Sequence, residues 1–96
     1  MKAQEFANYE AILNEVFWIS GNIIAGPSFI VLEFIENDFI FILKTSLVAY
    51  KHNFILSANI LRCLGNIACE NNAIREKLLN YDIFSTLEDV AYRKID

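Results

Sequence analysis

Gly21-Asn22-Ile23 and Gly65-Asn66-Ile67 are the same tripeptide set 44 residues apart, and the register they define runs well beyond them. At that offset Ile30 falls on Ile74, Asp38 on Asp82 and Leu43 on Leu87. Apolar character is also kept, with Ile35 on Leu79 and Phe39 on Ile83. A self-match at a period of roughly 40–47 residues marks stacked repeats of two or three helices. In such an array no single unit buries its own apolar face, so neighbours must cover it.

Working outward from the two tripeptides, breakers divide the chain. The first helix is predicted from about Glu5 to Ala25 and ends at Gly26-Pro27, where glycine can turn left-handed and proline cannot continue a helix. A short helix follows from Ser28, which can cap it, to about Ile35. Glu36-Asn37-Asp38 interrupts, and Asp38 reads as the N-cap of a helix from Phe39 to about Tyr50. After the turn Lys51-His52-Asn53, Asn53 can cap a long helix to about Cys69. Glu70-Asn71-Asn72 breaks that helix, Ala73–Asn80 forms another short one, and Asp82 caps a last one from Ile83 to Arg93. The order is long, short, medium, twice over. Residues 29–43 carry β propensity, but their copy at 74–87 reads as helix, so the chain is all-α.

Composition bounds the size of the unit. Ninety-six residues make at most one small domain. Yet 55% of them are hydrophobic, eight are Phe, and mean hydropathy is +0.34. A self-contained domain of this size needs a more polar surface. The expectation is therefore a stretch of a longer solenoid with open stacking faces at both ends, which would also permit self-association. A membrane span is excluded by charge: Glu33, Glu36, Asp38 and Lys44 interrupt the apolar stretch 28–50, each costing about 3 kcal/mol at a bilayer centre. The polar opening Met1–Glu10, with Lys2 and Glu5, does not read as a secretory signal.

Cys63 and Cys69 are six residues apart on one predicted helix. Six residues turn through about 600°, so the two thiols point to different faces and cannot pair. Both are expected to be buried and reduced, in an intracellular protein. His52 is the only histidine, and nothing suggests a metal site.

Aligned at the repeat offset, the long helices show a shared surface row. Residues four apart share a helix face: Asn14, Trp18, Asn22 and Gly26 in the first copy, Ala58, Arg62, Asn66 and Glu70 in the second. Val16, Phe17 and Ile23, with their partners Ile60, Leu61 and Ile67, lie largely elsewhere. Each long helix is expected to pack on one side and display its row on the other. Gly21 and Gly65 each cost about 1 kcal/mol relative to alanine, which close approach of a neighbouring helix would offset. An asparagine amide can donate to and accept from a peptide backbone, and an indole face suits a lysine or arginine stem, with about 0.5–2 kcal/mol of cation–π attraction. Tandem rows of this kind would hold an extended basic peptide. The plainer reading is that Trp18 is core and the asparagines are ordinary surface residues.

The run Glu15-Val16-Phe17-Trp18-Ile19-Ser20-Gly21-Asn22-Ile23-Ile24-Ala25-Gly26-Pro27 resembles the third helix of an armadillo repeat in the importin-alpha (karyopherin-alpha) family. Leu61-Arg62-Cys63-Leu64-Gly65-Asn66-Ile67 resembles a central repeat of that family in which Arg replaces Trp. The resemblance covers about two repeats and implies an armadillo-type right-handed α-solenoid. Residues 5–26 would be a third helix, 27–70 one full repeat, and 71–96 the first two helices of the next. The implied function is nuclear import: a segment of an adaptor that binds the basic nuclear localisation signal of cargo in a concave groove. An importin-beta-type receptor would engage the full-length protein, which would move between cytoplasm and nucleus. Trp18 would pack a cargo lysine stem, Asn22 and Asn66 would bond the peptide backbone, Arg62 would stand where the groove lacks its Trp, and Glu70 would face a lysine ammonium.

Enzyme chemistry has no foothold in the sequence, which lacks a phosphate loop, paired metal ligands or a nucleophile motif. No cofactor is implied. The net charge of −4 suits a basic peptide and disfavours nucleic acid. Two readings stand: a peptide-binding import adaptor, and an armadillo-like protein–protein scaffold with no cargo-peptide binding in which Trp18 is buried against the next repeat.

Overall fold

Helices begin and end on the 44-residue period in the computed structural model, which describes residues 3–92. α1 (Ala3–Ile24), α2 (Ser28–Glu36) and α3 (Phe39–Ala49) are followed by α4 (Phe54–Ala68), α5 (Asn72–Asn80) and α6 (Ile83–Tyr92). Adding 44 to the bounds of α2 gives those of α5. The same shift carries the end of α1 onto that of α4, and the start of α3 onto that of α6. The fold is all-α, with no strand among the described residues. Arg93, where the last helix was expected to end, lies outside them, as does Lys2.

Local chemistry sets most of these ends. Asn53 caps α4, its side-chain oxygen accepting from Leu56 N–H at 3.0 Å. Asn71 does the same for α5, accepting from Ile74 N–H at 3.0 Å. Such caps typically stabilise by about 1 kcal/mol over alanine. Two expected caps work differently. Pro27, not Ser28, precedes α2, and the Ser28 hydroxyl donates across the molecule to Glu70 at 2.7 Å. Asp38 does precede α3, but its side chain makes no capping bond; it turns the chain with φ at 65°. Its repeat partner Asp82 adopts φ 57°. Aspartate tolerates this left-handed region better than most residues because its short polar side chain can bond locally. The matched pair therefore records a shared left-handed turn between the short and medium helices.

Like packs on like: α1 lies against α4 and α3 against α6, with α3 also touching α4. Val31, Ile40, Leu43 and Leu47 from the first unit join Leu56, Ile60 and Ile67 of α4 in a core sealed from solvent. Full burial of each contributes about 1.5–3 kcal/mol relative to exposure. Lys44 adds a polar tie, its Nζ donating to the Tyr81 carbonyl at the α5–α6 turn at 2.6 Å. None of the helices is long and apolar enough to cross a membrane.

The two left-handed turns predict a substitution pattern. Asp38→Val should lower unfolding free energy by about 1–2 kcal/mol, because a β-branched side chain fits that region poorly. Asp38→Gly should leave stability within about 0.5 kcal/mol, strain relief offsetting the entropy of glycine. Urea denaturation followed by circular dichroism checks both.

Candidate functional site

The row foreseen on the long helices is present, but it runs along the seam between α1 and α4. Donors on α4 reach acceptors on α1 that lie one repeat earlier. Asn59 Nδ2 donates to Asn14 Oδ1 at 2.6 Å. Arg62 Nη1 donates to the Trp18 carbonyl at 3.2 Å, and its Nη2 donates to Asn22 Oδ1. The Arg62 guanidinium also lies 5.9 Å from the centre of the Trp18 ring. One turn on, Asn66 Nδ2 donates to the Gly21 carbonyl at 3.0 Å. That carbonyl also accepts from Ala25 N–H at 3.2 Å, using both of its lone pairs. Sequence separations of 44 or 45 link Asn59 to Asn14, Arg62 to the Trp18 carbonyl and Asn66 to the Gly21 carbonyl, while the Arg62–Asn22 bond spans 40.

At Gly21 a Cβ would meet the guanidinium of Arg62, which would have to shift to admit it. Gly65 is different, since a Cβ built on it meets nothing within 4 Å. The expected close neighbour is absent from the described residues.

Three of the five residues assigned to peptide binding from sequence come together. Trp18, Asn22 and Arg62 form one cluster, with Trp18 half exposed and Asn22 open to solvent, and Asn66 bonds the Gly21 carbonyl one turn on. Glu70 sits at the end of the seam, where its carboxylate accepts from Ser28 Oγ. The expectation that apolar faces lie opposite the row fails on α1. Val16 and Ile23 are exposed, whereas Asn14, Trp18 and Asn22 look towards α4. Asn14 was placed on the row, but its partner Asn59 escaped the sequence reading. The available signal was that Asn59, Cys63 and Asn66 share one helical stripe, four and three residues apart.

The cysteines part company. Cys63 is buried, and its thiol approaches the Phe17 carbonyl at 3.2 Å as a donor. Burial pushes this thiol up to about 11, against a smaller opposing effect of Arg62. Cys69 is exposed, contrary to the expectation that both would be buried. Among the described residues no three His, Cys, Asp or Glu side chains are grouped to hold a metal ion.

The Trp18 ring, the Asn22 amide oxygen and the Trp18 carbonyl converge on one planar cation, the guanidinium of Arg62. No protein-family model, curated protein or solved structure matches this chain.

The thiols give a direct check of this packing. At pH 8 a chromogenic disulfide reagent should titrate Cys69 rapidly in the folded chain, and Cys63 only after denaturation. Because the folded-state value of Cys63 lies above the unfolded one of about 8.5, its contribution to stability is complete below that pH and is lost as pH rises towards 11. Unfolding free energy measured by urea titration should fall across that window, and fall less in Cys63→Ala.

Proposed function

We propose that this chain is an armadillo-type segment of a right-handed α-solenoid, similar to importin-alpha, and that the α1–α4 seam binds an extended basic peptide. In this reading it belongs to a nuclear import adaptor that recognises the localisation signals of cargo and moves between cytoplasm and nucleus. An importin-beta-type receptor would engage the full-length protein. The reading involves no catalysis, cofactor, nucleic acid or membrane.

The observation that supports it is the cation already seated at Trp18. Arg62 offers the indole a delocalised positive charge and gives Asn22 a hydrogen-bond donor, which is the chemistry a cargo side chain would supply. A bound peptide must therefore stack outside Arg62 or displace it. Displacement would give up a cation–π contact of about 0.5–2 kcal/mol and the bonds of Arg62 to Asn22 and the Trp18 carbonyl, which an incoming cation would replace.

A second reading, a scaffold without cargo binding, draws on the engagement of the same amides. Asn66 donates to the Gly21 carbonyl, and the Asn22 oxygen accepts from Arg62. In that case the row is mortar between repeats.

Titration of a lysine-rich peptide, followed by Trp18 fluorescence, separates the two. The adaptor reading expects saturable, salt-sensitive quenching that Asn22→Ala weakens and that a scrambled acidic peptide does not produce. Arg62→Ala should tighten binding by about 2- to 30-fold, the loss of an internal competitor worth about 0.5–2 kcal/mol. Fluorescence indifferent to peptide in both the parent and the Arg62→Ala chain would leave the scaffold.

A further inference from the structure

The 44-residue period makes a comparison possible that no single helix allows. Leu56, Ile60, Cys63 and Ile67 form a stripe on α4 that is 0% exposed. Moved back by one period, these positions are Ile12, Val16, Ile19 and Ile23 on α1, which are 62%, 46%, 49% and 43% exposed. They keep the same apolar character and the same spacing, but nothing among the described residues covers them.

The opposite face shows the converse. Phe17 on α1, Ile35 on α2 and Ile40 on α3 are buried. Moved forward by one period they become Leu61, Leu79 and Phe84, all exposed, Phe84 at 67%. These three line an apolar groove of about 420 Å³ between α4, α5 and α6, with Gly65 in its wall. One end of the molecule therefore carries a stripe that repeats the buried one, and the other carries a groove that repeats its receptor.

We propose that the chain associates head to tail with a second copy of itself, the α1 stripe of one copy seating in the α4–α6 groove of the other. The occupant is identified by continuity with an interface already formed: α1 against α4 within the chain is the template, and the new contact is its next step. The register makes the contacts specific. Asn22 of the incoming copy, standing where Asn66 stands, reaches the Gly65 carbonyl. That carbonyl accepts from Cys69 N–H at 3.1 Å, as the Gly21 carbonyl accepts from Ala25 N–H, and keeps a lone pair free for a side chain. Trp18 of the incoming copy comes to the place of Arg62 and lies over the first copy's Arg62. Its Glu15, in the place of Asn59, arrives one turn from that same guanidinium, so charge is complementary at the seam. The contact joins different faces, so two copies do not close it, and growth into a series follows. The proposal is argued without the peptide reading, although Trp18, Asn22 and Arg62 belong to both surfaces.

Sedimentation equilibrium over a wide concentration range tests it. The parent chain should gain mass with concentration past the dimer. Ile19→Glu on the stripe and Phe84→Glu in the groove should each be monomeric with unchanged circular dichroism. Mixed in equal amounts they should form a dimer and stop, since each retains one intact face. If either glutamate variant loses helicity, Ile19→Ser and Phe84→Ser carry the same comparison. A parent chain that stays monomeric assigns the faces to other occupants and overturns the proposal. So does a dimer that saturates, or a pair of folded variants that do not complement each other.

Discussion

Side chains of α4 complete their hydrogen bonds on groups of α1 that lie one repeat earlier in the chain, and the two units are held in register by that seam. The apolar stripe of α4 supplies most of the adhesion, because burial is strong and non-directional. It is the polar edge that removes the freedom to slide. Asn66 meets the Gly21 carbonyl and Asn59 meets Asn14, both across a separation of 45 residues. A slip of one residue would bring Ile67 or Gly65 to the place of Asn66 and leave the half-buried amide without its acceptor. A buried amide left unpaired costs about 1–3 kcal/mol. Specificity here comes from a few directional bonds at the margin of a large, indifferent surface.

That seam also decides where chemistry can occur. Trp18 and Asn22 lie on the side of α1 that meets α4, so whatever they recognise must lie along the boundary between units. Arg62 is drawn there by the indole, the Asn22 oxygen and the Trp18 carbonyl together. Its role in stability is limited by magnitude. A cation–π contact of about 0.5–2 kcal/mol is at most comparable to one buried isoleucine at about 1.5–3 kcal/mol. Arg62 can leave the ring without dismantling the core, which separates the site from the scaffold that builds it.

Helix order and boundaries were legible because helix ends are local events. Asn53 at a cap and Pro27 at a terminus act within a few residues, although Gly26 does not take the left-handed turn expected of it, no described glycine having positive φ; the period gave several boundaries two chances to be read. The seam was legible as a set of residues but not as a direction. Helical spacing shows which side chains share a face; it does not say which face meets a neighbour. On α1 the ambiguity was acute, because Phe17 is buried while Val16 and Ile23, equally apolar, are exposed. Ser28 was misread for a related reason. Its cap chemistry is local, but its actual partner Glu70 is 42 residues away. Cys69 fails the burial expectation because it follows the last residue of α4, beyond the stripe that buries Cys63.

Gly21 and Gly65 show at single-residue scale what a repeat imposes. Each sits inside a long helix, where glycine costs about 1 kcal/mol relative to alanine. At Gly21 the cost has a visible return: the guanidinium of Arg62 occupies the space a Cβ would need. At Gly65 the same residue meets open space, so within the described residues the cost is not offset by any contact. The asymmetry is intelligible only if the glycine belongs to the repeating unit and not to its particular surroundings. Leu61 and Ala68 beside it also match, in position and apolar character, the residues that receive α4 on α1. The second unit thus repeats the apolar surface that the first unit presents to α4.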